Sequence, residues 1–231
     1  MQANSLVVVT KENLVDLFGH ECIRVFNDRL ISKEDNELFY LHLCETVMDY
    51  FKIVFKSPYK NLVGSYQAGQ KPAEPTPQQP QENADAENGT NSILLYGDFM
   101  KNDDRIYQPL NNWKQLVSIL SEYQMRSNMT GHATKQIVFF KEAVEHVCRA
   151  CRVLRQAGGH MLLVGLDGTG KSTIMELSSY ISNCEMRKLN VKKGYNYSDF
   201  RDDLKSVFKL TGIQKKRIVF FVSDRDIYEV S

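Results

Sequence analysis

Apolar residues recur at steps of three and four along much of this chain. Leu14, Leu17, Phe18, Ile23, Phe26 and Leu30 share one face of a helix predicted over residues 11–31. Leu38, Leu41, Cys44, Met48, Phe51 and Phe55 do the same over residues 34–55, with Ser32 as N-cap and Pro58 marking the end. Trp113, Leu116, Val117, Leu120 and Tyr123 give a short amphipathic helix. Phe140, Val144, Val147, Cys151 and Leu154 give a longer one over residues 134–156, stopped by Gly158 and Gly159. From there the period changes. The continuous apolar run 160–164 reads as a buried strand, and Ile174, Leu177 and Ile181 place a helix over residues 171–182. A second strand is expected over residues 187–191. A helix capped by Ser198 then carries Phe200, Leu204, Val207 and Phe208 inward, with Gly212 just past its end, and a third strand covers residues 218–222.

Two stretches fall outside this pattern. Leu6 to Val9 could form an edge strand. Residues 64–92 hold four of the six prolines and, Tyr66 apart, no large hydrophobic residue. Such a segment cannot offset its ordering entropy by burial, so it is expected to be a disordered loop. The domain reading is therefore helical over residues 1–63, a Pro/Gln-rich loop at 64–92, further helix and connector at 93–130, and an α/β domain at 131–231.

Between the first strand and its helix lie Gly165, Leu166, Asp167, Gly168, Thr169, Gly170, Lys171 and Ser172, followed by Thr173. This is G-x-x-x-x-G-K-[ST], the Walker A phosphate-binding loop. The glycines let the backbone turn tightly and bring N–H groups against phosphate oxygens. The helix N-terminus adds unsatisfied donors and the positive end of its dipole. Lys171 would meet the β- and γ-phosphates of ATP, and the Ser172 hydroxyl would bind Mg²⁺. Downstream, an apolar strand ending at Ser223 and Asp224 has the form of a Walker B segment, whose carboxylate would share the Mg²⁺. The order strand, loop, helix, strand, helix, strand is one mononucleotide-binding unit of an α/β fold. A catalytic glutamate often follows the Walker B aspartate; here Arg225 stands in its place, and a guanidinium stays protonated and cannot serve as a base. Catalytic residues are therefore not assigned, and nucleotide binding is better supported than hydrolysis. Glu229 lies nearby without an evident role.

Composition adds exclusions. With 29 basic against 28 acidic residues, no electrostatic case arises for nucleic acid or a membrane surface. The N-terminus lacks a signal-peptide pattern and no run is long enough to span a membrane, so an intracellular, soluble chain is expected. Five cysteines, an odd number, are expected to be reduced. Cys148 and Cys151 sit inside a helical pattern without a second ligand pair at finger spacing, so a metal site is not expected and Cys151 reads as a core residue.

The strings GHECIRVFNDRLI (19–31), LYGDF (95–99), IVFFKEAVEHVCR (137–149), GHMLLVGLDGTGKS (159–172) and YNYSDFRDDL (195–204), in this order, resemble a dynein heavy chain of the axonemal type. The resemblance spans nearly the whole chain outside the proline-rich loop. It implies the helical lid of a third AAA+ module up to about residue 125, then the start of a fourth, P-loop AAA+ module whose sheet is incomplete. In that arrangement the strand beside the Walker A strand follows Walker B in sequence, beyond Ser231. It further implies an ATP-driven microtubule motor of cilia and flagella, located in the cytoplasm, the cytoskeleton and the axoneme. Its partners would be other AAA+ modules or dynein subunits, and microtubules only through the whole motor. In such rings the third and fourth modules are regulatory nucleotide sites. Two alternatives stand beside this reading. One is a non-catalytic interaction protein with weak or no nucleotide binding. The other is a small nucleotide kinase, which would need an acceptor site and an arginine-bearing lid that the residues after the loop do not supply.

Overall fold

The computed structural model describes residues 10–55, 94–101, 105–130, 136–189, 191 and 194–227; the expected edge strand at 6–9, the proline-rich segment and Glu229 lie outside them. Two compact units divide the chain, Met1–Trp113 and Lys114–Ser231.

In the first unit, helix α1 (Lys11–Val25) starts where the Thr10 side chain accepts a hydrogen bond from the Asn13 N–H. It ends earlier than expected, giving way to a 3-10 turn at Asn27–Arg29 that leaves Phe26 exposed. Helix α2 (Lys33–Phe51) is capped by Ser32 and closes at Lys52 in the left-handed conformation, so it stops short of residue 55. Its buried face is Tyr40, Leu43 and Val47, whereas Leu38 and Met48 are exposed. The sequence offers two overlapping apolar stripes here, and packing against α1 selects the one centred on Val47. Phe55, past the helix end, is buried by close approach to α1: a Cβ on Gly19 would lie 2.2 Å from its ring. A short antiparallel pair, β1 (Tyr96–Gly97) and β2 (Gln108–Pro109), sits beside a second cluster of Leu17, Tyr96 and Tyr107.

Helix α3 (Trp113–Thr130) lies in the second unit apart from its first residue, and its Leu116, Leu120 and Tyr123 are buried. Helix α4 (Lys141–Arg155) begins later than the expected residue 134, and Phe140, its N-cap, is exposed rather than part of the buried stripe. Val144, Val147 and Cys151 are buried against α5 (Lys171–Ile181). Tyr123 of α3 meets Tyr180 of α5 edge to face. Strand β3 (Glu185–Lys188) lies slightly upstream of the expected span. It pairs in parallel with β4 (Ile218–Phe221), and α6 (Tyr197–Gly212) forms the crossover. The cap of α6 is Asn196 rather than Ser198: its side chain accepts from the Ser198 and Asp199 N–H groups while Asp199 accepts from the Asn196 N–H. Gly212 falls inside the helix, which closes at Ile213.

Two sequence expectations fail: no residue of α6 is buried, Phe208 of its expected inward face being 67% exposed, and the first expected strand is not formed. Residues 160–164 are extended but form no strand, and Leu162 and Val164 are each 86% exposed. Their apolar character is that of a buried strand. What they lack, among the described residues, is a pairing partner for the backbone. No helix among the described residues is long and apolar enough to cross a membrane.

Candidate phosphate-binding site

The loop is reached from α4 by a tight exit. Gly158 has φ of 65°, and a Cβ on Gly159 would lie 2.2 Å from the Val153 carbonyl oxygen, so the chain turns back over the helix end at a point that admits no side chain. Behind the turn, Arg217 acts as a staple. One guanidinium nitrogen donates to the Leu154 carbonyl at the end of α4 (2.7 Å), and another to the Ser182 carbonyl at the end of α5 (3.0 Å). A cation placed on two helix C-termini satisfies carbonyls that have no acceptor role left inside their helices.

Gly168 and Gly170 both adopt the left-handed conformation, with φ of 80° and 82°, which only glycine takes without strain. Gly170 is the N-cap of α5, and the first backbone donor used within the helix is that of Ile174, which reaches the Gly170 carbonyl. The N–H groups of Lys171, Ser172 and Thr173 therefore precede the helical ladder and open towards the loop. The Thr169 hydroxyl donates to the Leu166 carbonyl at 2.8 Å. The Lys171 ammonium donates to the carbonyls of Gly165 (2.6 Å) and Leu166 (2.7 Å), folding the loop into a closed ring around its own cation.

An open cleft of about 460 Å³ lies over this loop. One wall runs from Asp167 to Thr173. The other is made of Lys188, Leu189 and Phe221 together with the turn Ser223 to Asp226 that follows β4. Asp224, named from the sequence as a Mg²⁺ ligand, thus faces the same space as Ser172; Gly165 and Leu166 do not line the cleft and instead hold Lys171. The turn itself is fixed by Asp226, which accepts from both the backbone N–H and the hydroxyl of Ser223 at 2.8 Å. Asp224 starts the short 3-10 helix (Asp224–Asp226).

Sequence reasoning missed three features. Lys188 reaches the cleft from β3, ion-paired to Glu176 and 5.7 Å from the Phe221 ring centroid. Its only sequence signal was its place beside Arg187 in the expected strand over residues 187–191. Phe221 lines the same wall. The third is a contact across the cleft mouth: Arg225 donates to Asp167 at 2.9 Å. That pair holds the Asp167 carboxyl below its ordinary value, through the hydrogen bond first and the nearby positive charge second, and raises Arg225 for the same reasons.

Comparison with known proteins bears on the same region. Residues 136–231 match the family described as P-loop containing dynein motor region D4. Dynein axonemal heavy chain 6 of Homo sapiens is 33% identical over 215 residues, covering 91% of this chain and 4% of that protein. Dynein axonemal heavy chain 3 of Homo sapiens is 32% identical over 222 residues (95% of this chain, 5% of that protein). Dynein axonemal heavy chain 10 of Homo sapiens is 28% identical over 240 residues (98% and 5%). The chain therefore matches the axonemal dynein heavy chains over most of its length, while spanning only 4% to 5% of the length of these three relatives.

Proposed function

We propose that this chain, a relative of the axonemal dynein heavy chains, binds Mg-ATP at the loop Gly165 to Thr173 and reports nucleotide state within a dynein-type motor. The observation that carries this reading is the cleft itself. Two left-handed glycines, the open end of an 11-residue helix and the Lys171 ammonium form one wall, and a carboxylate at the end of a parallel strand forms the other. Backbone donors and the helix dipole suit phosphate oxygens, and Lys171 would leave its two loop carbonyls to meet the β- and γ-phosphates. The Ser172 hydroxyl and Asp224 carboxylate are hard oxygen donors of the kind Mg²⁺ takes, and the ion would neutralise phosphate charge between them. With Arg225 in the position where a base could activate water, the site favours binding over hydrolysis, in keeping with a regulatory module.

On this reading residues 1–63 and 93–130 serve as the helical lid and connector of a preceding AAA+ module and residues 131–231 as the start of the next. Other AAA+ modules or dynein subunits would be the partners, the axoneme the location, and microtubules would be engaged only through the whole motor. A second reading has its own observation. Leu162 and Val164 of the strand-like segment, and Leu166 in the loop, are more than four-fifths exposed, and Lys171 is satisfied by its own loop. A chain with that arrangement could act as a non-catalytic interaction protein with weak nucleotide binding. Equilibrium binding of a fluorescent ATP analogue with Mg²⁺ separates the two. Micromolar binding abolished by Lys171→Ala supports the first; absence of binding in both proteins supports the second.

A further inference from the structure

We propose that Arg225 senses the terminal phosphate of a nucleoside triphosphate and that Asp167 holds it in reserve; this rests on the nucleotide-binding reading above. The two residues are 58 positions apart and on opposite walls of the cleft, yet their side chains meet at 2.9 Å across its mouth. Both are open to solvent, at 74% and 70% side-chain exposure, so a ligand entering the cleft reaches the pair without unfolding anything. A guanidinium carries five N–H donors. Among the described residues, that to Asp167 is the only hydrogen bond this one makes. Neither member of the pair is anchored by packing, whereas the backbone that carries Arg225 is fixed by the Ser223–Asp226 capping box. A mobile fork on a fixed turn is the arrangement that an exchange of anions requires.

The exchange follows from charge and shape. Asp167 offers a single carboxylate at the rim, while a phosphate chain seated on the Lys171 loop would extend towards the second wall. A terminal phosphate carries more charge than a carboxylate and three acceptor oxygens, and it fits the guanidinium fork with two parallel hydrogen bonds. A triphosphate long enough to reach Arg225 therefore draws it away from Asp167 and releases the loop from its tether to the β4 turn. A diphosphate ends short of the second wall and leaves the tether closed. Arg225 thus has a positive role in the position where it cannot be a catalytic base, and the β4 turn moves or stays according to the number of phosphates bound.

The test is titration of the full chain with ATP and, separately, ADP, each with Mg²⁺, for wild type, Arg225→Ala, Arg225→Lys, Asp167→Asn and Lys171→Ala, with circular dichroism to verify that each is folded. Arg225→Ala is expected to weaken ATP about tenfold and to change ADP by less than about twofold. Arg225→Lys, which keeps the charge and loses the fork, should fall between. Asp167→Asn should tighten ATP several-fold by removing the competitor. Equal losses for ATP and ADP in Arg225→Ala, or no loss for either, would overturn the sensor while leaving the nucleotide site standing, provided Lys171→Ala abolishes binding of both. Failure of wild type to bind either nucleotide would overturn both proposals together.

Discussion

The segment 160–164 and strand β4 (Ile218–Phe221) are both short and mostly apolar, and have opposite fates. Met-Leu-Leu-Val after His160, and Ile-Val-Phe-Phe-Val over residues 218–222, are each followed by turn residues. Only the second is a strand, paired in parallel with β3, and its four residues are half-buried. The first is extended, unpaired among the described residues, and exposes Leu162 and Val164 at 86% each. Apolar composition makes a strand permissible; the pairing of backbone donors and acceptors makes it a strand. The loop from Gly165 to Ser172 stays formed beside the unpaired segment because its geometry is set elsewhere: by the glycines at 168 and 170, by α5 packed on α4, and by Lys171 bonding its own loop's carbonyls.

The comparison can be broken or sharpened by substitutions that ask where stability resides. The largest effect is expected at Ile181, fully buried where α5 ends. Ile181→Ala should lower unfolding free energy by about 2–5 kcal/mol, read by urea denaturation. Gly159→Ala comes next, since its Cβ would meet the Val153 carbonyl oxygen at 2.2 Å and the exit from α4 must shift. A loss of roughly 1–3 kcal/mol is expected, together with weaker nucleotide binding because the loop follows directly. Arg217→Ala removes the hydrogen bonds that join the ends of α4 and α5, and, exposed as it is, should cost about 1 kcal/mol by the same measurement.

A pH effect tests the crossover that makes β4 a strand. Partial burial, followed by the adjacent Asp203 carboxylate that accepts its hydroxyl at 2.6 Å, pushes Tyr195 up to about 12. The folded value lies above the ordinary 10.0, so the contribution is fully present below pH 10 and lost as pH rises towards 12. Tyr195→Phe should flatten that stretch of the stability profile, and phenolate absorbance should show one late-titrating group fewer. The smallest effect is expected at the unpaired segment: Leu162→Ser should change stability by less than about 0.5 kcal/mol, although leucine in a true buried strand would cost several times more. A large loss there would mean that the segment packs after all.

The geometry of the glycine-rich loop was legible because it is local. Glycines at fixed spacing dictate left-handed turns, and a lysine and a serine open a helix whatever the rest of the fold does. The α4 stripe of Val144, Val147 and Cys151 was legible through periodicity alone. The face of α2 was not, since Leu38 and Met48 compete with Tyr40, Leu43 and Val47 at equivalent helical steps and tertiary packing decides between them. The cap at Asn196 was misplaced by two residues because Ser198 is an equally good capping type. Arg225 drew notice as a missing base, but its partner Asp167 lies 58 residues away and no spacing rule connects them. The Arg217 staple was illegible for the same reason: it exists only once α4 and α5 end side by side.

The exposed edge at residues 160–166 also sets how the protein behaves in the tube. An extended apolar segment that, among the described residues, pairs with no strand offers a template for the same segment of a second molecule, and pairing of two such edges would be self-propagating. The attraction is hydrophobic in origin, so it weakens on cooling. Light scattering at fixed concentration should therefore rise with temperature well below the unfolding transition. A single lysine at position 162 or 164 should suppress that rise while leaving the circular dichroism spectrum unchanged.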